Sequence, residues 1–175
     1  MSAGAALRAF ALVFLAALLQ VGIVSALVVA GGAPDLLLVL VVVLALERGS
    51  VPGAVLGFAG GLVADVLTLD TLGLGSLVLT LAGFWAGRYG ETVARSRRLA
   101  PLLAVGVITV LASVFSLALR YLLGEEVAAG HVLGTALAPS LALNLLLALP
   151  VLRLVRKVVG GPAAAEPATE VEVVV

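Results

Sequence analysis

Asp65 is the residue of this chain whose type and position could most readily carry chemistry. It ends a glycine-rich apolar segment, and an ionisable group in a membrane segment usually faces protein or water and not lipid. One interpretation is a proton, ion or substrate site. The other, which we favour, is a structural carboxylate, bonded to a neighbouring helix or close to the outer membrane surface. Asp65 stands ~20 Å along its predicted helix, so that surface is near.

The other polar residues in apolar segments indicate structural roles. Asp35 opens an apolar segment, where a helix dipole favours an acid. Arg120 either snorkels to the membrane surface, which we favour, or pairs with an acid such as Asp65 or Asp70. Asn144 places an amide in hydrocarbon, and we expect it to form a hydrogen bond with another helix.

Sequence motifs of enzymes and of metal sites are missing. The chain has no cysteine and one histidine, His131, which we expect in a solvated loop. It has no nucleophile–base pair, no HExxH, no paired buried carboxylates and no phosphate-binding loop. We therefore expect no enzymatic activity, no cofactor and no metal.

The composition predicts the elements that must position these residues. Hydrophobic residues make up 63% of the 175 positions and charged residues 11%, and the mean hydropathy is +1.30. A soluble domain carries about 25% charged residues. The apolar segments show no period-two alternation, which disfavours membrane strands. The sequence therefore predicts an all-α, polytopic transmembrane helix bundle.

Six apolar segments, separated by turn-like Gly and Pro residues, predict about six helices. They form one integral membrane domain over 1–159, followed by a flexible cytoplasmic tail over 160–175. The predicted helices cover approximately 9–30, 34–46, 51–67, 72–87, 100–123 and 132–152.

The basic residues predict the orientation of the bundle. With six crossings and a cytoplasmic N-terminus, all but one of the 10 basic residues lie on the cytoplasmic side. The second segment is short, and five crossings would put Arg8 on the other side as well. Charge therefore favours a multi-pass protein of the bacterial inner (cytoplasmic) membrane with both termini in the cytoplasm.

Small residues form the most distinctive pattern. Glycines spaced by four lie along one face of the third predicted helix and end at Asp65, and a similar pair occurs in the fourth. Such a stripe lets another helix approach closely. The helix-packing or partner interface that we predict consists of Gly53, Gly57, Gly61, Asp65, Gly83 and Gly87.

A basic loop follows the fourth predicted helix. It contains Arg88, Arg95, Arg97 and Arg98. Its first role is a topology signal that contacts anionic lipid headgroups, and a second interpretation is a contact with a cytoplasmic partner. Four arginines without a folded soluble module do not predict nucleic-acid binding.

The order of these features resembles the MreD family of rod shape-determining membrane proteins. The resemblance covers most of 9–157, and its distinctive part is a Pro-Asp start to the second helix, a short Arg-Gly turn and a GFxxGLxxD-like third helix. The residues that match these motifs, besides the glycine stripe, are Pro34, Asp35, Arg48, Gly49, Phe58, Gly60 and Gly73.

The resemblance implies a non-enzymatic scaffold of the elongation machinery. Members of the family work beside MreC, a bitopic protein, and with MreB and the RodA–transpeptidase pair they direct lateral peptidoglycan synthesis. We expect the glycine stripe to dock the transmembrane helix of MreC, and no small-molecule substrate.

An alternative function remains open, because the family is considered similar in fold to the S components of energy-coupling-factor transporters. The chain would then be a small-molecule-binding subunit for a vitamin or a metal. Few polar residues could line such a pocket. The charged or titratable candidates are Asp35, Asp70, Glu125, Glu126 and His131.

Overall fold

The computed structural model of the chain describes residues 3–92, 100–125, 130 and 132–160. Its described residues contain six α-helices and no strand, so the predicted helical bundle is confirmed. A 3-10 turn, Val24–Ala26, follows the first helix, and a π-helical turn, Val132–Ala136, precedes the last. The helices are α1 (Ala3–Gly22), α2 (Leu36–Arg48), α3 (Ser50–Thr68), α4 (Leu74–Thr92), α5 (Ala100–Leu122) and α6 (Leu137–Val158).

The first helix ends earlier than its apolar run. It was expected to continue to about Ala30, but regular helix stops at Gly22. Ala30 and Gly31 both have positive φ angles, of 52° and 86°, which a right-handed helix does not permit. The chain therefore turns here and re-enters the bundle as α2.

The short second helix is the centre of the bundle. It contacts α1, α3, α4, α5 and α6. Nine consecutive residues, from Leu37 to Ala45, are buried, and none is more than 4% exposed. A helix surrounded by others has no polar face, which explains why the sequence of α2 is apolar on every side.

In the described part of the chain, four helices are long and apolar enough to cross a membrane. They are α1, α3, α5 and the segment Gly134–Val158, which includes α6. The prediction of a membrane protein is therefore supported by the fold. Of the other two helices, α2 has 13 residues, and α4 carries Arg88 and Glu91 near its end.

Both ends of the described chain lie at one end of the bundle, which we call the basic end. Arg8 of α1 donates to the carbonyl oxygen of Val158 at 3.4 Å. Arg156 of α6 pairs with the buried Glu47 of α2 at 2.8 Å. Arg48 donates to carbonyl oxygens just after α6. The start of α1, the end of α2 and the end of α6 are thus held together.

Candidate functional site

The glycine stripe of α3 lies against α4. A Cβ atom on Gly57 would stand 2.2 Å from the carbonyl oxygen of Leu79. On Gly53 it would stand 2.6 Å from the carbonyl oxygen of Gly83, and on Gly61 2.5 Å from the Cα of Ser76. No side chain fits at these positions, because the two backbones touch directly.

The glycines of α4 complete the same contact. A Cβ on Gly83 would lie 2.2 Å from the carbonyl oxygen of Gly53, and on Gly87 2.4 Å from the Cα of Ser50. The predicted glycines therefore form one packing interface inside the chain. The expectation that this stripe docks MreC needs correction, because α4 already fills the face that a partner helix would need.

Asp65 caps the N-terminus of α4. Its carboxylate accepts hydrogen bonds from the backbone amides of Gly73 at 2.9 Å, Gly75 at 3.1 Å and Ser76 at 3.2 Å. The residue is 6% exposed. The first amides of a helix have no partner within the helix, and in lipid no water replaces it. The geometry is that of the structural carboxylate bonded to a neighbouring helix.

Glu91, near the end of α4, caps the N-terminus of α3 in the same way. Its Oε1 atom accepts from the backbone amide of Ser50 at 2.8 Å and from the Ser50 hydroxyl at 2.9 Å. Each helix of the α3–α4 pair thus caps the start of the other. Sequence reasoning missed Glu91. Its signal was an acid in the last turn of a helix, where the dipole disfavours a negative charge.

The residues of the family-like motifs lie at helix ends and contacts. Asp35 is the N-cap of α2, and its Oδ1 accepts from the Leu38 amide at 2.9 Å. The carbonyl oxygen of Pro34 accepts from the Gln20 amide group at 3.2 Å. Gly49 joins α2 to α3 with a φ angle of 100°, which favours glycine.

The remaining motif residues have separate roles. A Cβ on Gly60 would lie 2.6 Å from a methyl group of Val13, so Gly60 lets α1 approach α3. Gly73 has a φ angle of 95° in the turn before α4. Phe58 is 53% exposed on the outer surface of α3. None of these residues, nor Arg48, lines a shared site with the others.

Several predicted residues lie outside the described part of the chain. They include three arginines of the basic loop, the histidine, one acid and nearly all of the tail. Of the basic loop, Arg88 is described, and it pairs with Glu91 at 3.5 Å. The undescribed positions are Arg95, Arg97, Arg98, Glu126, His131 and 161–175.

A polar cavity of about 350 Å³ opens at the other end of the bundle, which we call the acidic end. All six helices contribute to its wall. Leu74, Val78 and Leu79 of α4 make one side apolar. The polar side chains in the wall are Gln20, Asp35, Asp65, Asp70, Thr109, Ser113, Ser116, Arg120, Ser140 and Asn144.

One face of α5 supplies much of this polar wall. Thr109, Ser113, Ser116 and Arg120 are spaced by four, three and four residues, so they align along the helix. Sequence reasoning singled out Arg120 but not the hydroxyl stripe below it, although that spacing was the available signal. Asn144 of α6 donates to the Thr109 hydroxyl at 3.2 Å, so the predicted interhelical bond is present.

Asn144 also connects the cavity to the start of α2. Its Oδ1 accepts from the backbone amide of Asp35 at 2.7 Å. The Gln20 side chain accepts from the Leu36 amide at 2.8 Å, and the Ser140 hydroxyl accepts from the Ala33 amide at 3.1 Å. Side chains of α1 and α6 therefore satisfy the backbone amides around the N-terminus of α2.

Arg120 stands at the mouth of the cavity in an ion-pair network. It pairs with Asp70 of the α3–α4 turn and with Glu125 at 2.9 Å. The hydrogen bond from Arg120 holds the pKa of Asp70 below its usual range. Of the two interpretations of Arg120, the structure supports pairing with acids across the bundle and not snorkelling to the surface, which we favoured from the sequence.

Most charged groups in the cavity wall already have partners. Asp65 uses both carboxylate oxygens in capping, and Asp70 is paired. Among the described residues no three His, Cys, Asp or Glu side chains come close enough to hold a metal. The wall instead presents hydroxyl and amide groups, which bind small polar molecules.

The comparison with known proteins identifies one family. The model of rod shape-determining protein MreD matches residues 2–159, and this range includes every helix described above. No curated protein and no solved structure matches the chain. Because the match spans most of the sequence, the chain belongs to the MreD family of rod shape-determining membrane proteins.

Proposed function

We propose that the chain is a non-enzymatic membrane scaffold that supports cell shape and lateral peptidoglycan synthesis by binding the transmembrane helix of MreC. The family match over 2–159 carries this proposal. MreB and the RodA–transpeptidase pair are further partners, reached directly or through MreC. The membrane is the bacterial inner membrane, with the basic end facing the cytoplasm, as expected from the positive-inside rule.

The groove between α5 and α6 is the surface that we propose for MreC, in place of the glycine stripe. It is apolar, has a volume of about 880 Å³ and runs along both helices. Gly106 lies in its floor, where an added Cβ would meet only leucine side chains, the nearest at 3.6 Å. Leu146, which is 73% exposed, lies on its edge. Small residues with open space above them suit the packing of a further helix.

Cysteine cross-linking tests this surface directly, because the chain has no cysteine of its own. We would introduce Leu146→Cys in the groove and, as the matched control, Val55→Cys on α3, which is 62% exposed. Each variant is combined with single cysteines along the MreC helix. The proposal expects disulfides from position 146 at helical intervals and none from position 55.

A second variant tests whether MreC binds at the groove, separately from whether the chain binds MreC at all. Gly106→Leu should fill the groove, so MreC recovery should fall while the melting temperature is retained. Normal recovery of MreC with Gly106→Leu and cross-links only from position 55 would move the interface to another face. Failure of the unaltered chain to recover MreC would contradict the proposed function itself. The alternative, a substrate-binding subunit, would use the polar cavity and would not need MreC.

A further inference from the structure

The polar cavity contains hydroxyl groups without partners. Ser113 and Ser116 line it, and neither forms a hydrogen bond with any described residue. A membrane helix usually satisfies serine by a bond to its own backbone, whereas these two half-buried serines keep their hydroxyl groups open to the cavity. The two hydroxyls are therefore available to bond with a polar ligand in the cavity.

The charges of the cavity select the type of occupant. Its wall contains three acids, Asp35, Asp65 and Asp70, and one base, Arg120. Asp65 is saturated by backbone amides, and Asp70 is paired with Arg120. Asp35 uses one oxygen to cap α2 and forms no ion pair among the described residues. A carboxylate has about four acceptor positions, so Asp35 can accept further bonds.

The mouth of the cavity offers N–H donors. Arg120 forms its two ion pairs through Nη1 and Nη2. A guanidinium has five N–H donors, so several remain for an anionic group that enters beside it. The cavity thus offers an acceptor at the start of α2, two hydroxyls on α5 and a donor at the entrance. The volume of about 350 Å³ fits a small ligand or a lipid headgroup.

We propose that this cavity binds a primary ammonium group of the ethanolamine type, with Asp35 as its counter-ion. Ser113 and Ser116 accept its remaining N–H groups, and Arg120 holds a phosphate attached to the same molecule. A quaternary ammonium has no N–H donor and cannot form these hydrogen bonds. The cavity and the α5–α6 groove use different residues of α5, so this site is independent of the proposed MreC surface.

Binding to the full chain in detergent is the first test. The probes are ethanolamine and O-phosphoethanolamine, with choline as the matched control, measured by calorimetry and by the shift in melting temperature. We expect binding of O-phosphoethanolamine and none of choline. Equal binding of choline would overturn the assignment, as would the absence of binding by every probe combined with a negative lipid test.

Two variants locate the ammonium group. Asp35→Asn removes the charge but keeps a good N-cap, so the fold should survive. The affinity of this variant for O-phosphoethanolamine should fall by about tenfold or more, as expected for the loss of a hydrogen bond to a charged group. Ser113→Ala combined with Ser116→Ala should weaken binding without touching any cap. Unchanged affinity in both variants would refute the site.

Lipid nanodiscs distinguish a lipid headgroup from a soluble ligand. We would compare the melting temperature in discs of phosphatidylethanolamine and of phosphatidylcholine, for the unaltered chain and for Asp35→Asn. Stabilisation by phosphatidylethanolamine that Asp35→Asn abolishes identifies a headgroup site. Binding of the free probes alone identifies a soluble ligand. No effect in either format means that the cavity holds only water, and the proposal fails.

Discussion

At the scale of single residues, acids of this chain serve to start helices. Asp35 caps α2, Asp65 caps α4 and Glu91 caps α3. Each contributes acceptors to amides that have no partner within their own helix. In water such caps stabilise moderately, but in a bilayer an open amide has no solvent to bond. The need to cap helix amides thus explains why these acids lie near helix ends, without any role in chemistry on a substrate.

The cap at Asp65 can be tested by removing its carboxylate. Asp65→Ala should lower the free energy of unfolding by about 2–4 kcal/mol, because buried amides lose their acceptors. The matched control is Asp70→Ala, whose side chain is 37% exposed in its ion pair and should cost less than about 1 kcal/mol. Unfolding in mixed micelles measures both. Equal costs for the two variants would mean that the Asp65 bonds contribute no more than a surface pair.

At the scale of elements, the α3–α4 hairpin is the most tightly specified part of the molecule. Its backbones meet at glycines on both helices, and its two ends are closed by Asp65 and Glu91. Close contact supplies dispersion and short polar contacts along the pair, which are the forces available between helices in lipid. The pair therefore acts as one unit against which α1 and α2 pack.

Adding one methyl group tests this contact. Gly57→Ala should destabilise the protein by about 1–3 kcal/mol, because its Cβ would overlap the Leu79 carbonyl and the helices must separate. Gly106→Ala is the matched control, since its Cβ meets nothing nearer than 3.6 Å. There alanine should be neutral or stabilise by up to about 1 kcal/mol through helix propensity. An unchanged free energy of unfolding for Gly57→Ala would show that α3 and α4 are not in direct contact.

Local patterns predicted the helices but not their partners. Apolar runs and Gly or Pro breaks were sufficient for six helices, and four-residue glycine spacing indicated a packing face. Nothing in that spacing says whether the second helix belongs to the same chain. The bond between Ser50 and Glu91 joins residues 41 positions apart, and its geometry depends on how two helices align. Likewise, the hydroxyls of α5 become a cavity wall only when α2 and α6 are in place.

At the scale of the whole molecule, the charges are sorted to two ends. Arg8, Glu47, Arg48 and Arg156 meet at the basic end, whereas Arg120 and its acids meet at the acidic end. The ion pair between the buried Glu47 and the half-exposed Arg156 joins the central helix to the last one. This arrangement brings the start of α1 and the end of α6 together, as any even number of membrane crossings requires.

Labelling of single cysteines in cells tests this arrangement. Gly4→Cys and Lys157→Cys should react only when the thiol reagent can reach the cytoplasm, because both positions lie at the basic end. Leu123→Cys, which is 57% exposed at the acidic end, should react with an impermeant reagent added outside. Labelling of positions 4 and 157 from opposite sides would indicate five crossings, with α2 entering the membrane without spanning it.

The reciprocal capping of α3 and α4 has a consequence for biosynthesis. α4 is not among the helices apolar enough to cross alone, and without Asp65 its first amides would enter hydrocarbon bare. We therefore predict that the translocon releases α3 and α4 into the bilayer as a pair. Glycosylation-site mapping should show efficient insertion of 50–92 and poor insertion of 74–92 alone. Equal insertion of both segments would contradict this order of assembly.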